Sequence, residues 1–267
     1  MPGILIISMG KKHYAELAVN LAASLRMFSK CKIALLTDGN ITSVQGHDTL
    51  FDHIIQVEGN PFHIKTQIYG LSPFKETLYI DGDSLFLGRK SWDSLISELA
   101  GKSFVMMENG RYSSDSGKAT VWDSVERVYN HYQLPKERIY PDYNSSFIYF
   151  VKSKENAALF KKAEKSYGSI KGLRQSVNGQ FPDEVAFAAA SISTNTYSDI
   201  TGWKPAYFQY MQSLSAGAIL SNYYFISLAG TQQNKNMLNI YNGSVKRNGQ
   251  ASGIRGIEYK ASQKSYF

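Results

Sequence analysis

The chain has 267 residues, 43% of them apolar and 19% charged, a balance that supports a buried core and excludes a low-hydropathy disordered chain. A single cysteine, Cys31, excludes an internal disulfide framework and a Cys-based zinc site. The formal net charge of +7 sits in two stretches: residues 152–174 carry six Lys and one Arg against Glu155 and Glu164, and residues 242–267 carry Lys246, Arg247, Arg255, Lys260 and Lys264 against Glu258.

In chain order, Gly3 to Met9 is an apolar run that ends at Gly10 and predicts a buried strand. Leu17, Leu21 and Leu25 recur every four residues and mark one face of a helix. Lys32 to Thr37 predicts a second strand, stopped by the turn signal Asp38-Gly39-Asn40. Cys31, just before it, is expected as a packed thiol. Strand, helix, strand at this spacing is a βαβ unit of a parallel sheet. Ile54 to Val57 predicts a third strand, and Phe62 to Leu71 a helix ended before Pro73. Glu76 to Ile80 predicts a strand, Trp92 to Leu99 a helix and Phe104 to Met107 another strand. Further on, Ala119 to Tyr132 predicts a helix, Pro135 to Tyr143 a loop, Ser146 to Val151 a strand and Lys154 to Tyr167 an amphipathic helix. Pro182, Asp183 and Glu184 suit the first turn of a helix through Ala190, where the helix dipole favours acids. Tyr223 to Leu228 predicts a late strand, and from about Asn242 Gly, Ser, Asn and Lys dominate. One α/β domain over residues 1–241 and a basic tail over 242–267 is the simplest organisation.

In an open α/β sheet, ligands bind beyond the carboxyl ends of the strands. Ser8-Met9-Gly10, Thr37-Asp38 and Asp81-Gly82-Asp83 all fall at such ends. The third is the most telling. Two carboxylates flank a glycine just past the apolar Leu78-Tyr79-Ile80, and Leu85-Phe86-Leu87 follows. Carboxylates between two apolar runs are costly to bury unless they are paired or bind a cation. Their oxygens suit Mg²⁺ or Mn²⁺, which neutralise a diphosphate leaving group.

Lys65 and the segment Tyr79-Ile80-Asp81-Gly82-Asp83 with Phe86 resemble the core of GT-A fold glycosyltransferases, most of all the family-8-type, glycogenin- and galactosyltransferase-like enzymes. The resemblance spans roughly residues 4 to 238. It implies a Rossmann-like, nucleotide-diphospho-sugar transferase fold, a mixed sheet flanked by helices. It also implies transfer of a hexosyl or pentosyl group from a nucleotide-sugar donor, a uridine diphosphate sugar, with retention of anomeric configuration. By the same resemblance Ser8, Met9, Gly10 and Tyr14 hold the base at the first strand exit, ahead of a helix carrying Ser24. Thr37 and Asp38 lie near base and ribose, and Lys65 helps bind the donor. Asn144 and Ser145, in Tyr143-Asn144-Ser145-Ser146-Phe147-Ile148, touch the donor sugar. Asp183 and Glu184 contact the sugar being transferred, and Lys235 binds phosphate. Asp81 and Asp83 hold the metal around Gly82.

Two departures stand out. Such enzymes supply a third metal ligand, a His on a late strand, where this chain has Ser227; none of its five His lies in the second half. Glu184 replaces the usual Gln. The expected acceptor is a saccharide or glycolipid, with a modified base in DNA as the alternative. The basic stretches 152–174 and 242–267 are candidate contacts for DNA or an anionic membrane surface. A binding module that kept the fold and lost activity is a further alternative. A nucleotidyltransferase shares the fold, but Ser8-Met9-Gly10-Lys11-Lys12 only faintly suggests its Gly-rich signature, and no Gly-x-Gly-x-x-Gly of a dinucleotide enzyme follows the first strand. No run approaches the ~18 apolar residues that cross a bilayer, and Ile4 to Ile7 is too short for a signal-peptide core. A cytoplasmic location, or a peripheral one at a membrane, is therefore expected.

Overall fold

The computed structural model describes residues 1–120, 122–174, 181–208, 214–228 and 239–242. In chain order the elements are β1 (Gly3–Ser8), α1 (Lys12–Phe28), β2 (Ile33–Thr37), a 3-10 turn at Asn40–Ser43, β3 (His53–Gln56), α2 (Pro61–Leu71), β4 (Glu76–Ile80), β5 (Ser84–Phe86), α3 (Trp92–Leu99), β6 (Phe104–Tyr112), α4 (Val125–Tyr132), β7 (Tyr140–Val151), α5 (Lys154–Gly168), α6 (Asp183–Thr194), β8 (Ala206–Tyr207), α7 (Ala216–Asn222) and β9 (Phe225–Ser227). Six strands form a mixed sheet in the order β3-β2-β1-β4-β7-β6, and three more form a second sheet in the order β5-β9-β8. Pairing is parallel between β1 and β2 and between β2 and β3, and antiparallel between β6 and β7.

The chain divides into two compact units. The first takes Met1–Val57, Ile80–Ala100 and the described part of Lys204–Phe267. Every residue of β1 and β2 is buried, as expected for strands covered on both faces. α1 turns Leu17, Ala18, Leu21 and Leu25 inward. Leu17 joins Leu85, Leu87, Ile219, Leu220, Ile226 and Tyr241 in one apolar cluster that carries the small sheet. Just before β2, Cys31 is buried as a free thiol, 3.0 Å from Ser29 Oγ, and burial pushes its pKa up.

The second unit takes Glu58–Tyr79 and Gly101–Trp203. Its core is aromatic: Phe160 meets the rings of Tyr69, Phe104, Phe150 and Phe187 at centroid distances of 4.9 to 6.4 Å.

Two expectations change here. The predicted helix from Ala119 starts only at Val125. Thr120 Oγ1 accepts the N–H groups of Trp122 and Asp123, and Ser124 Oγ caps α4 by accepting from Arg127 N–H. Short polar side chains compete with helical hydrogen bonds in this way. The predicted loop through Tyr143 is strand from Tyr140 onward, because β6 runs on to Tyr112 and pairs Arg111 with Pro141 and Tyr112 with Tyr140.

Candidate functional site

In the first unit, the exits of β1 and β2 are tied together by side chains. Gly10 turns the chain into α1 with φ +84°, a conformation that favours glycine. Its N–H donates to Asp38 Oδ2 at 2.7 Å, and Asn40 N–H donates to Asp38 Oδ1 at 3.1 Å. Ser8 and Thr37 both donate from their hydroxyls to Asn40 Oδ1, at 3.2 and 2.9 Å. Asp38 therefore spends both carboxylate oxygens on shaping the loop. Met9 is buried beneath it, and Tyr14 stands half exposed on the first turn of α1. Asn40 is the member that sequence reading missed. Its signal in the sequence is the turn Asp38-Gly39-Asn40, which by itself marks a strand stop.

The Asp81-Gly82-Asp83 turn belongs to the same unit. All three residues are half buried between the buried Ile80 and Ser84. Gly82 packs against the end of β1: a Cβ there would lie 3.3 Å from the Ile7 carbonyl oxygen and 3.6 Å from Ala18 Cβ. A side chain there would have to press on the residue before Ser8, so glycine suits this close approach. The turn is anchored on its far side as well. Leu228 N–H donates to the Asp83 carbonyl at 2.6 Å, and β5 pairs with β9 so that Ser84 faces Ser227. On α1, Ser24 Oγ accepts from Phe86 N–H at 3.1 Å, a contact that fixes the strand after the turn. Ser227, in the position where a His was expected, is thus one rung from Asp83. Ser84 Oγ is buried with no hydrogen-bond partner among the described residues.

The donor set is hard oxygen throughout, which suits Mg²⁺ or Mn²⁺ rather than a soft metal. Among the described residues no group of three or more His, Cys, Asp or Glu gathers. A cation here would rest on two carboxylates and complete its shell with water and ligand oxygens. Mg²⁺ is ordinarily held in that manner beside phosphates.

In the second unit, Asn60 caps α2 by accepting from Phe62 N–H at 2.8 Å, with Pro61 in the first turn. One turn on, Lys65 is buried. Its Nζ donates to Ser145 Oγ at 3.1 Å and lies 5.6 Å from the Tyr79 ring centroid. The structure therefore brings together two residues that the sequence holds eighty positions apart. Ser145 sits in a break in the ladder. Met106 pairs with Ile148 and Met107 with Asn144, so Ser145, Ser146 and Phe147 have no rung of their own. Asn144 Oδ1 accepts from Ser146 N–H at 2.9 Å and holds the bulge. Bulges of this kind re-aim side chains and are frequent beside functional sites.

Asp183 and Glu184 open α6 after Pro182. Asp183 is fully buried and Glu184 half buried. Their charge is felt nearby: burial pushes the Tyr167 hydroxyl up to about 12, with Asp183 and Glu184 adding to it. Burial also pushes Tyr140 up, with Asp142 and then Glu184 adding to the effect. The half-buried His63 ring stacks on Tyr167 at 5.2 Å with 6° between planes, a pairing that sequence reading missed. Lys235 and residues 243–267, expected to bind phosphate and an anionic partner, lie outside the described residues.

No known family profile matches the chain, and no curated protein does. Among solved structures it is similar to one titled "WbbM bifunctional glycosytransferase apo structure", with a TM-score of 0.57 and 11% identity. The match covers 92% of this chain and 51% of the other, so the chain spans about half the length of the structure it resembles. At this identity the likeness is one of fold. The mixed α/β sheet flanked by helices is a Rossmann-like fold of the kind seen in that glycosyltransferase. No helix among the described residues is long and apolar enough to cross a membrane.

Proposed function

We propose that the chain is a glycosyltransferase that moves a sugar from a nucleotide-diphosphate donor to a saccharide or glycolipid hydroxyl. The observation that carries this reading is the close packing of Gly82 on the end of β1. It sets two half-buried carboxylates beside a strand exit whose loop is already shaped by Asp38 and Asn40. A shared fold with a glycosyltransferase structure supports it. The order of the motifs along the chain supports the finer family-8-type assignment and a uridine diphosphate sugar.

In the transfer, the bond from the anomeric carbon to the diphosphate oxygen breaks and its electron pair leaves with the diphosphate. The acceptor oxygen bonds to that carbon and gives up its proton to the departing diphosphate. Asp81 and Asp83 would hold a divalent ion, which when bound would neutralise charge on a diphosphate. The loop at Ser8, Met9 and Gly10, with Tyr14 and Asp38, receives the nucleoside. The motif order assigns Lys65, Asn144, Ser145 and Lys235 to the donor and Asp183 and Glu184 to the transferred sugar. A buried carboxylate such as Asp183 stabilises positive charge that develops on a sugar ring, as carboxylates do in glycosidases.

The test is donor binding and slow hydrolysis across a panel of nucleotide sugars, with and without Mn²⁺ or Mg²⁺. One donor should stabilise the protein against heat, and Asp83→Ala should abolish this while leaving the β5–β9 ladder intact. The Asp83 contact to Leu228 is made by the main-chain carbonyl and survives the substitution, and circular dichroism checks that the variant is folded. If no donor binds under any metal condition, the transferase reading fails. Binding without turnover, with any acceptor, identifies a binding module.

A further inference from the structure

The feature the proposed site does not use is the outer face of α5. Lys154, Ala158, Lys161 and Lys165 are all exposed and follow one another at intervals of four, three and four residues. On an α-helix that spacing keeps them within about 40° of a single line, roughly 16 Å long. The opposite face carries Leu159, Phe160 and Ala163, which are buried in the aromatic core of the second unit. The helix therefore cannot rotate to hide its lysines.

Nor are the lysines neutralised. None of Lys154, Lys161 and Lys165 lies within ion-pair distance of an acid among the described residues, whereas Lys12, Lys32 and Lys90 each have a carboxylate within 4 Å. The two acids of α5 do not cancel them: Glu164 Oε1 accepts from Gln67 Nε2 at 2.7 Å, and Glu155 is held first by its own N–H and the Ser153 hydroxyl at the helix start, with the charge of neighbouring Lys154 a smaller influence. Just past the helix, Lys171 and Arg174 add two exposed cations. That segment is fixed in place: Arg127 Nη2 donates to the Gly172 carbonyl at 2.6 Å, and Arg174 N–H donates to Asp123 Oδ2 at 3.0 Å.

We propose that this face of α5 is a docking surface for an anionic lipid bilayer. Ala158, the exposed residue between Lys154 and Lys161 on this line, is small, and no large apolar side chain is exposed on this helix; those that are exposed, Met1, Tyr14, Ile54 and Ile139, lie elsewhere in the chain. The contact is thus electrostatic and does not insert. Lysines are point charges without the planar fork that reads phosphates or base edges in fixed geometry. A narrow, straight line of them, with no aromatic or amide side chain interleaved, suits a diffuse sheet of negative headgroups better than the curved backbone and grooves of a nucleic acid.

The test is co-sedimentation of the full chain with vesicles of phosphatidylcholine, alone or mixed with phosphatidylglycerol, at low and physiological salt. The wild type should partition onto the mixed vesicles only, and less at the higher salt. The variant Lys154→Gln/Lys161→Gln/Lys165→Gln should lose on the order of a hundredfold in partition, since each cation near such a surface contributes about fivefold. Lys30→Gln/Lys118→Gln/Lys136→Gln removes the same charge from exposed positions elsewhere and should bind nearly as the wild type does. Circular dichroism checks that both variants are folded. Equal loss in the two variants would mean net charge alone is responsible, and no loss in the α5 variant would place binding on another surface; either result overturns the proposal. So would a duplex DNA fragment that binds more tightly than the vesicles and depends on the same three lysines.

Discussion

Asp38 shows how a single residue can change meaning once its partners are known. As a carboxylate at a strand exit it reads as a ligand-binding group. In the fold both of its oxygens accept main-chain N–H groups, from Gly10 and Asn40, so it shapes the loops at the two strand exits. Gly82 is the opposite case, a residue with no side chain whose importance lies in what it admits. A methyl group there sits 3.3 Å from the Ile7 carbonyl oxygen, which belongs to a strand and has little room to yield. Gly82→Ala should cost about 1–3 kcal/mol, the usual range for overpacking a tight site. It should weaken donor binding further by pushing Asp81 and Asp83 away from β1. Urea unfolding measures the first effect and donor-induced thermal stabilisation the second. An unchanged unfolding midpoint would mean that the turn is free to move and that the glycine serves no packing role.

Among the elements, β7 carries the most consequential irregularity. A regular ladder with β6 would direct Asn144, Ser145 and Ser146 alternately to the two faces. The three unmatched residues after Asn144 break this alternation, and Lys65 on α2 meets Ser145 in the gap. A buried ammonium is tolerated only where its hydrogen bonds are met. Lys65→Met and Ser145→Ala should therefore be coupled. The double variant should be less destabilised than the sum of the singles by about 0.5–3 kcal/mol, the range for groups in one network. A double-mutant cycle in urea measures the coupling, and strict additivity would show that the contact contributes nothing to the fold.

For the whole molecule, the acid limb of stability rests in part on Asp52. Burial raises its pKa, but hydrogen bonds from Lys32, Ile33 N–H and Arg26 outweigh this and hold it well below the usual carboxylate range. A depressed folded pKa stabilises the protein above the unfolded value of about 4 and is lost as pH falls below that through the folded value. Arg26 also donates to the carbonyls of Leu50 and Cys31, so the same network joins α1 to the start of β2. Asp52→Asn should lower stability by about 1–3 kcal/mol near neutral pH and by progressively less below pH 4. Urea midpoints of both proteins across that range check this; parallel curves would remove Asp52 from the acid response.

The sequence alone determined the elements whose signal is local. β1 and β2 are unbroken apolar runs, and the four-residue recurrence of Leu17, Leu21 and Leu25 marks the inward face of α1. The acids ahead of Val185 announce a helix start in the same way. The expectation of a carboxylate pair at a strand exit also needed only the sequence, because a charged turn between two apolar runs is costly without a purpose. What tertiary structure decided is everything carried by pairing between distant segments. Tyr140 to Tyr143 became strand because β6 extends far enough to pair with it. Asn40 joined the candidate site because Ser8, thirty-two residues away in sequence, reaches its side chain. Glu164 on α5 accepts from Gln67, ninety-seven residues away in sequence, because α2 packs beside it. Periodicity reports which face a residue shows to the core, whereas a long-range hydrogen bond depends on where the partner segment packs.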